Sequence, residues 1–448
     1  MPHHAVHITA DPTLRHRVAI ASLTVLDLDG RPLADADVVV AQRRHQFLFG
    51  NIGFEFIPLA NGEIGAVEKD EADEDEPEDA RAESPNVFAA TPADQTEALA
   101  DLWFDLFNAA TLPFYWAGFE PEPGHPDTRR LLRTAQWFQD RGVVVKGHPL
   151  VWHTLTAPWL LELSNPQIER AQRERIRREV ADFAGVIDMW DAINEAVIMP
   201  VFDKADNGIT RICRANGRIA TVRLAFEEAR TANPRATLLL NDFDLSTAYE
   251  CLIEGVLEAG IPVDALGLQS HMHQGYWGEE KTLAILDRFS RYGLPIQFTE
   301  STLVSGRLMP PEIEDLNDYQ VESWPSTSEG EQRQADEIVR HYRTLVSHPS
   351  VEGITYWGIS DAGAWLGAPA GLIRADGTRK PSYDALRSLV KGEWWLPPTT
   401  LRTDDAGRIR LSGFLGEYEV SSDSGSARFE LAEAGAVACE VQLSVPRA

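Results

Sequence analysis

The spacing of apolar and polar positions changes character twice along the chain. Near the N-terminus, Val18-Ala19-Ile20-Ala21-Ser22-Leu23-Thr24-Val25 reads as a strand, Asp29-Gly30 as a turn, and Val38-Val39-Val40-Ala41 as a second strand. The C-terminal stretch behaves the same way: Arg408 to Leu411, Tyr418 to Val420, Ala427 to Leu431 and Ala438 to Leu443 are short runs separated by Gly, Asp and Ser. Neither end holds enough apolar residues for a core of its own. The pattern therefore predicts that residues 1–45 and 393–448 pair into one small accessory β-domain, with both termini in it.

In between, over residues 46–392, short apolar runs alternate with helical stretches, the pattern of repeated βα units. Eight strands are expected to start near Phe47, Phe107, Val143, Ile187, Thr237, Ala265, Pro295 and Gly353. Helix starts are marked by Ser164-Asn165-Pro166 and Thr91-Pro92, where a polar cap precedes a proline in the first turn. Eight such units can close into an α/β fold, the (β/α)8 TIM barrel, whose sites lie at the C-terminal ends of the strands.

Composition narrows the partners. The 448 residues carry a formal charge of −28, which repels nucleic acid and anionic membranes while leaving a neutral ligand unaffected. Part of that charge lies in the run Glu68 to Glu76, expected to be a solvated acidic insertion at about 63–84. The three cysteines, Cys213, Cys251 and Cys439, have no ligand-like spacing and read as reduced thiols. No apolar run is long enough to span a membrane, and Met1-Pro2-His3-His4-Ala5 has no leader pattern. A cytoplasmic chain is expected, or a secreted one if a signal has been removed.

The expected strand ends carry the chemistry. The fourth ends Trp190-Asp191-Ala192-Ile193-Asn194-Glu195-Ala196 and the seventh Ile296-Gln297-Phe298-Thr299-Glu300. Two carboxylates across a barrel mouth suit glycosidic cleavage, where one must give a proton and the other must be ionised. The third strand ends Gly147-His148-Pro149-Leu150-Val151-Trp152-His153, the sixth Leu268-Gln269-Ser270-His271-Met272-His273, and the eighth Tyr356-Trp357-Gly358-Ile359-Ser360-Asp361, followed by Trp365. Indole faces, imidazoles and amides with few charges fit a neutral carbohydrate.

These five motifs, taken in chain order and with the closing Lys380-Pro381-Ser382-Tyr383-Asp384-Ala385-Leu386, resemble glycoside hydrolase family 10, in which endo-β-1,4-xylanases predominate. The resemblance runs from about Phe47 to Leu389. It implies retaining cleavage of β-1,4-xylan or xylo-oligosaccharides by double displacement, with Glu195 as acid/base and Glu300 as nucleophile and no cofactor or metal. Asn194 would bind a sugar hydroxyl, His271 would hydrogen-bond the nucleophile with Gln269 nearby, and His148, Trp152, Trp357 and Trp365 would line the glycone side.

The second strand departs from that pattern. An Asn-Glu-x-Lys-Trp type segment is usual there, whereas this chain has Thr111-Leu112-Pro113-Phe114-Tyr115-Trp116 before Glu120-Pro121-Glu122-Pro123-Gly124, and Thr302 stands where an Asp commonly follows the nucleophile. Trp116 is placed with the substrate-binding residues, and Phe114, Tyr115 and Trp116 as packing of the barrel mouth is the other reading. The alternatives for function are a glycosidase of the same family acting on a non-xylan glycoside such as a saponin, and a catalytically silent carbohydrate-binding barrel. A metal-dependent hydrolase using His271-x-His273 with His148 and His153 is a further rival. The segment Ser301 to Ser328 is too long for a minimal loop and is expected to overhang the cleft. Trp394-Trp395 lies off the expected strand faces, so the accessory domain reads as a scaffold, with a carbohydrate-binding module as the alternative.

Overall fold

The computed structural model describes residues 11–63 and 93–445. The acidic run Glu68 to Glu76 and the Thr91-Pro92 helix start lie outside the described residues. Two compact units are present, one formed by Phe49–Glu337 with Ser350–Pro381, the other by Met1–Leu48, Ile338–Pro349 and Ser382–Ala448.

The larger unit is a closed parallel barrel. Its strands are β3 (Leu48–Ile52), β4 (Ala109–Pro113), β5 (Val144–His148), β6 (Met189–Asn194), β7 (Thr237–Asp242), β8 (Ala265–Met272), β9 (Ile296–Leu303) and β10 (Val351–Tyr356), with β10 closing on β3. Each starts within two residues of its expected position. The strands read as unbroken apolar runs because helices cover one face and the barrel interior the other; every residue of β9 is buried. The helix Asn165–Asp182 starts as the sequence predicts. Pro166 lies in its first turn, and the Gln167 side chain accepts the Ser164 backbone N–H at 3.0 Å.

That helix also grips the C-terminal ends of the strands. Arg175, 3 % exposed, pairs with Glu179 at 2.8 Å and donates to the Leu150 carbonyl at 2.9 Å and to the Phe114 carbonyl. One buried guanidinium thus ties the chain just after β4 to the chain just after β5. Its charge is compensated by Glu179 and by the Trp116 ring, whose centroid lies 4.7 Å from the guanidinium carbon.

In the smaller unit, strands from the two ends of the chain pair as expected. A three-stranded sheet places β1 (Val18–Leu26) between β12 (Arg408–Phe414), antiparallel, and β15 (Gly435–Gln442), parallel. A four-stranded sheet runs β11 (Thr399–Arg402), β2 (Asp37–His45), β13 (Gly416–Ser422), β14 (Gly425–Leu431). β11 escaped the sequence reading: it is four residues long, and its partner β2 supplies the pairing that its own pattern does not announce. The unit also takes in 338–349 and 382–392, which the sequence reading assigned to the barrel. Trp394 is fully buried within it, and Trp395 carries the Lys391 ammonium 4.0 Å from its ring centroid.

One glycine in the barrel wall is fixed by packing. A Cβ on Gly147 of β5 would sit 2.2 Å from the Trp190 ring of β6, and Trp190 is completely buried. The Gly147→Ala variant is expected to lose about 1–3 kcal/mol to overpacking, read as a lower urea midpoint at unchanged slope.

Candidate active site

Glu195 follows the last residue of β6 and takes φ = 57°, a left-handed conformation uncommon outside glycine. Its N–H donates to the Asn241 carbonyl of β7 at 2.8 Å. The sharp turn ends the strand and leaves the carboxylate among three N–H donors. Trp152 Nε1 reaches Oε2 at 2.7 Å, while Asn194 Nδ2 and Gln269 Nε2 reach Oε1 at 3.1 and 3.2 Å. Burial pushes the pKa up to about 7 and outweighs those donors, with the charge of Glu300 adding to the shift. His153 Nε2 lies 4.0 Å from Oε2, and its imidazole, held neutral by burial with a pKa of about 4, adds no positive charge.

Glu300, inside β9, has the opposite setting. Burial would raise its pKa, but the His271 hydrogen bond and the nearby His148 hold it below the usual carboxylate value. His271 Nε2 is 3.0 Å from Oε2, Asn241 Nδ2 donates to Oε1 at 3.1 Å, and His148 Nε2 stands 3.9 Å from Oε1. A neutral imidazole has one N–H. If His271 gives it to Glu300, its Nδ1 is an acceptor, and the Thr302 hydroxyl 3.4 Å away is placed to supply that donor.

A row of amides joins the two carboxylates. Asn241 Nδ2 donates both to Glu300 and to Asn194 Oδ1, the latter at 2.7 Å, while Asn194 Nδ2 donates to Glu195. Asn241 is oriented by Thr299 Oγ1, which donates to its Oδ1 at 2.6 Å, and by Gly267, where a Cβ would come within 2.3 Å of that same oxygen. Beneath His148 lies a buried ion cluster in which Asp191 accepts from His148 Nδ1 at 2.7 Å and pairs with Lys146 at 2.9 Å. Burial opposes the charge on Asp191, yet Lys146 and His148 hold its pKa below the ordinary value.

Aromatic rings wall one side. The Trp357 centroid lies 5.3 Å from that of His148 and 5.8 Å from that of Phe54, and Trp365 lies 4.8 Å from His271. Tyr115 packs against Phe54, His148 and Trp152 with centroids 6.0, 5.8 and 5.5 Å away. Burial and the charges of Glu300, Glu195 and Asp191 keep its phenol protonated.

The structure thus brings together Glu195, Glu300, Asn194, Gln269, His148, His271, Trp152, Trp357 and Trp365. Trp116 stands outside that group. It is 3 % exposed, gives its indole N–H to Glu120 at 3.0 Å, and packs edge-on against Trp159. Its place at the mouth belongs to Tyr115, one residue earlier, because the chain enters a short helix at Trp116–Phe119. Sequence reasoning missed Asn241, whose only signal was a polar residue at the end of Leu238-Leu239-Leu240, and gave no role to Lys146 or Asp191. The four histidines of the metal reading are divided among Glu300, Glu195 and the Trp324–Trp365 pair. Among the described residues no group of three or more His, Cys, Asp and Glu is arranged to hold a metal ion.

Known proteins share this arrangement of elements. The model of glycosyl hydrolase family 10 matches residues 113–389. A β-1,4-xylanase of Dictyoglomus thermophilum is 27 % identical over 271 residues, covering 56 % of this chain and 70 % of the relative. The solved structure of xylanase 10B from Thermotoga petrophila in complex with xylobiose superposes with a TM-score of 0.56 at 21 % identity, over 68 % of this chain and 91 % of that one. The family 10 structure from Paenibacillus barcinonensis gives 0.57 at 21 % identity, over 77 % and 96 %.

The raised pKa of Glu195 has a cost to folding. Between the ordinary value of 4.5 and about 7 the folded chain binds a proton that the unfolded chain has lost, so stability falls as pH rises through that window. At about 1.4 kcal/mol per pK unit, the Glu195→Gln variant is expected to be more stable than the parent by roughly 3 kcal/mol above pH 7. The gap should close below pH 4.5. Thermal melts across that range test it, and equal melting temperatures at pH 8 would count against the assigned setting.

Proposed function

We propose, for a chain that belongs to glycosyl hydrolase family 10, that it is a retaining β-glycosidase acting on β-1,4-linked xylo-oligosaccharides, with Glu195 as acid/base and Glu300 as nucleophile. The observation that carries this reading is the opposite tuning of two carboxylates joined by one amide row. Glu300, charged and oriented by His271 and Asn241, attacks the anomeric carbon and forms a glycosyl ester. Glu195 gives its proton to the departing oxygen. All three of its close hydrogen-bond partners are N–H donors, so the carboxyl proton is free for an acceptor in the cleft. Once the ester forms, the negative charge of Glu300 is gone, the pKa of Glu195 falls, and Glu195 draws a proton from the incoming water.

Around this centre Trp152, Trp357 and Trp365 offer ring faces to the sugar, and Asn194, Gln269 and His148 offer polar contacts to its hydroxyls. Lys146 and Asp191 act from below by fixing the His148 ring. The apolar wall supports a second reading of specificity. The stretch Thr111 to Trp116 stands where the resemblance leads one to expect an Asn and a Lys for the sugar before the cut, and its Tyr115 packs on Phe54. An unmet hydroxyl contact of that kind costs about 1–3 kcal/mol, which favours a decorated xylo-oligosaccharide or a glycoside with an apolar aglycone, such as a saponin, over plain xylan.

Incubation with an activated 2-fluoro-β-xyloside is expected to leave a glycosyl adduct on the peptide containing Glu300. An adduct on any other residue, or none despite sugar binding, overturns the assignment and favours a silent binding barrel. The rate profile is expected to be bell-shaped. Its basic limb should fall near pH 7, where Glu195 loses its proton, and its acid limb below 4.5, where Glu300 gains one. Efficient turnover of unsubstituted xylan, equal to that of decorated or aryl substrates, would remove the second reading while leaving the first.

A further inference from the structure

The loops that follow the two catalytic strands meet each other. Lys204, nine residues beyond Glu195 in the β6 loop, reaches Asp315 at 2.6 Å and Asp318 at 2.7 Å, both in the long β9 loop beyond Glu300. In the barrel order β6-β7-β8-β9, two strands intervene between those loops. A direct contact between them must therefore pass over the ends of β7 and β8.

The β9 loop is built to make that reach. It leans on the β8 end, where Met309 N–H donates to the His273 carbonyl at 3.0 Å and Gln274 Nε2 donates to the carbonyls of Pro310 and Ile313 at 2.9 and 2.7 Å. Asp315 is set by its own turn, accepting the Asn317 N–H at 2.9 Å. On the other bank Phe202, two residues before Lys204, packs on His153 with centroids 4.5 Å apart, and His153 adjoins Glu195. The aromatic wall of Phe54, Tyr115, His148 and Trp357 comes from β3, β4, β5 and β10, the opposite arc of the barrel.

We propose that the Lys204–Asp315/Asp318 bridge is a specificity determinant that spans the leaving-group side of the cleft and selects for short leaving groups over a continuing polysaccharide chain. This rests on the functional reading above, in which the aromatic rings hold the glycone; the departing group then lies away from that wall, toward the β7–β8 arc on the opposite side of the barrel. The bridge is exposed, and exposed ion pairs are weak. It therefore restricts rather than seals: a small aglycone leaves beneath it, whereas a long chain must displace it.

Two measurements test the proposal. Hydrogen–deuterium exchange compares the parent with Lys204→Ala. Exchange is expected to rise in both 197–206 and 311–320, and no change in either loop means that no bridge exists. Kinetics then compare xylohexaose with a nitrophenyl xylobioside in the parent, in Lys204→Ala and in Asp315→Asn/Asp318→Asn. The xylohexaose-to-aryl ratio of kcat/KM is expected to rise about fivefold in both variants, mainly through KM, and to return in the charge-exchanged Lys204→Asp/Asp315→Lys pair. A ratio within about twofold of the parent in both variants overturns the selective role. A parent inactive on both substrates counts against the xylose reading, whereas the exchange result decides the bridge without any substrate.

Discussion

Everything at the barrel mouth depends on keeping one carboxylate charged and another protonated in the same poorly hydrated space. Burial pushes both pKa values upward, so the difference has to come from partners. Glu300 receives His271, Asn241 and the nearby His148; Glu195 receives neutral N–H groups and the repulsion of Glu300 itself. The amide row through Asn194 and Asn241 holds these settings in register, because each amide is committed at both ends. Loss of the charge on Glu300 therefore lowers the pKa of Glu195. That coupling is what a two-step displacement requires.

Barrel geometry explains why so much of this was legible in the sequence. Apolar runs gave the eight strands, and motifs at their ends gave Glu195, Glu300, His148 and His271. What stayed hidden has physical causes. Asn241 follows a leucine run and stands beside Asp242, and its importance comes from neighbours on β6 and β9 rather than from its own segment. Lys146 sits inside a strand and became intelligible only when Asp191 was found beside it at 2.9 Å. Which of Tyr115 and Trp116 faces the mouth was not legible, because a one-residue step into a short helix exchanges the outward and inward faces, and no periodicity over so few residues fixes that step. β11 was missed because a four-residue strand owes its existence to the strand it pairs with.

The departures from the family pattern share a direction. Charged or polar groups expected at the second strand are replaced by Tyr115 and its aromatic neighbours, and a carboxylate expected behind His271 is replaced by the Thr302 hydroxyl. Both substitutions lower the density of charge around the sugar while preserving the two carboxylates. Lys146 places a positive charge beneath the site, yet Asp191 already neutralises it, so it orients His148 rather than meeting a substrate.

Arg175 carries a consequence of a different kind. Its guanidinium holds the carbonyls of Phe114 and Leu150, just before Tyr115 and just before Val151 and Trp152. The helix that bears it is therefore the common foundation of two walls of the cleft. A displacement of that one helix would therefore move both walls together, so their spacing is fixed by one side chain.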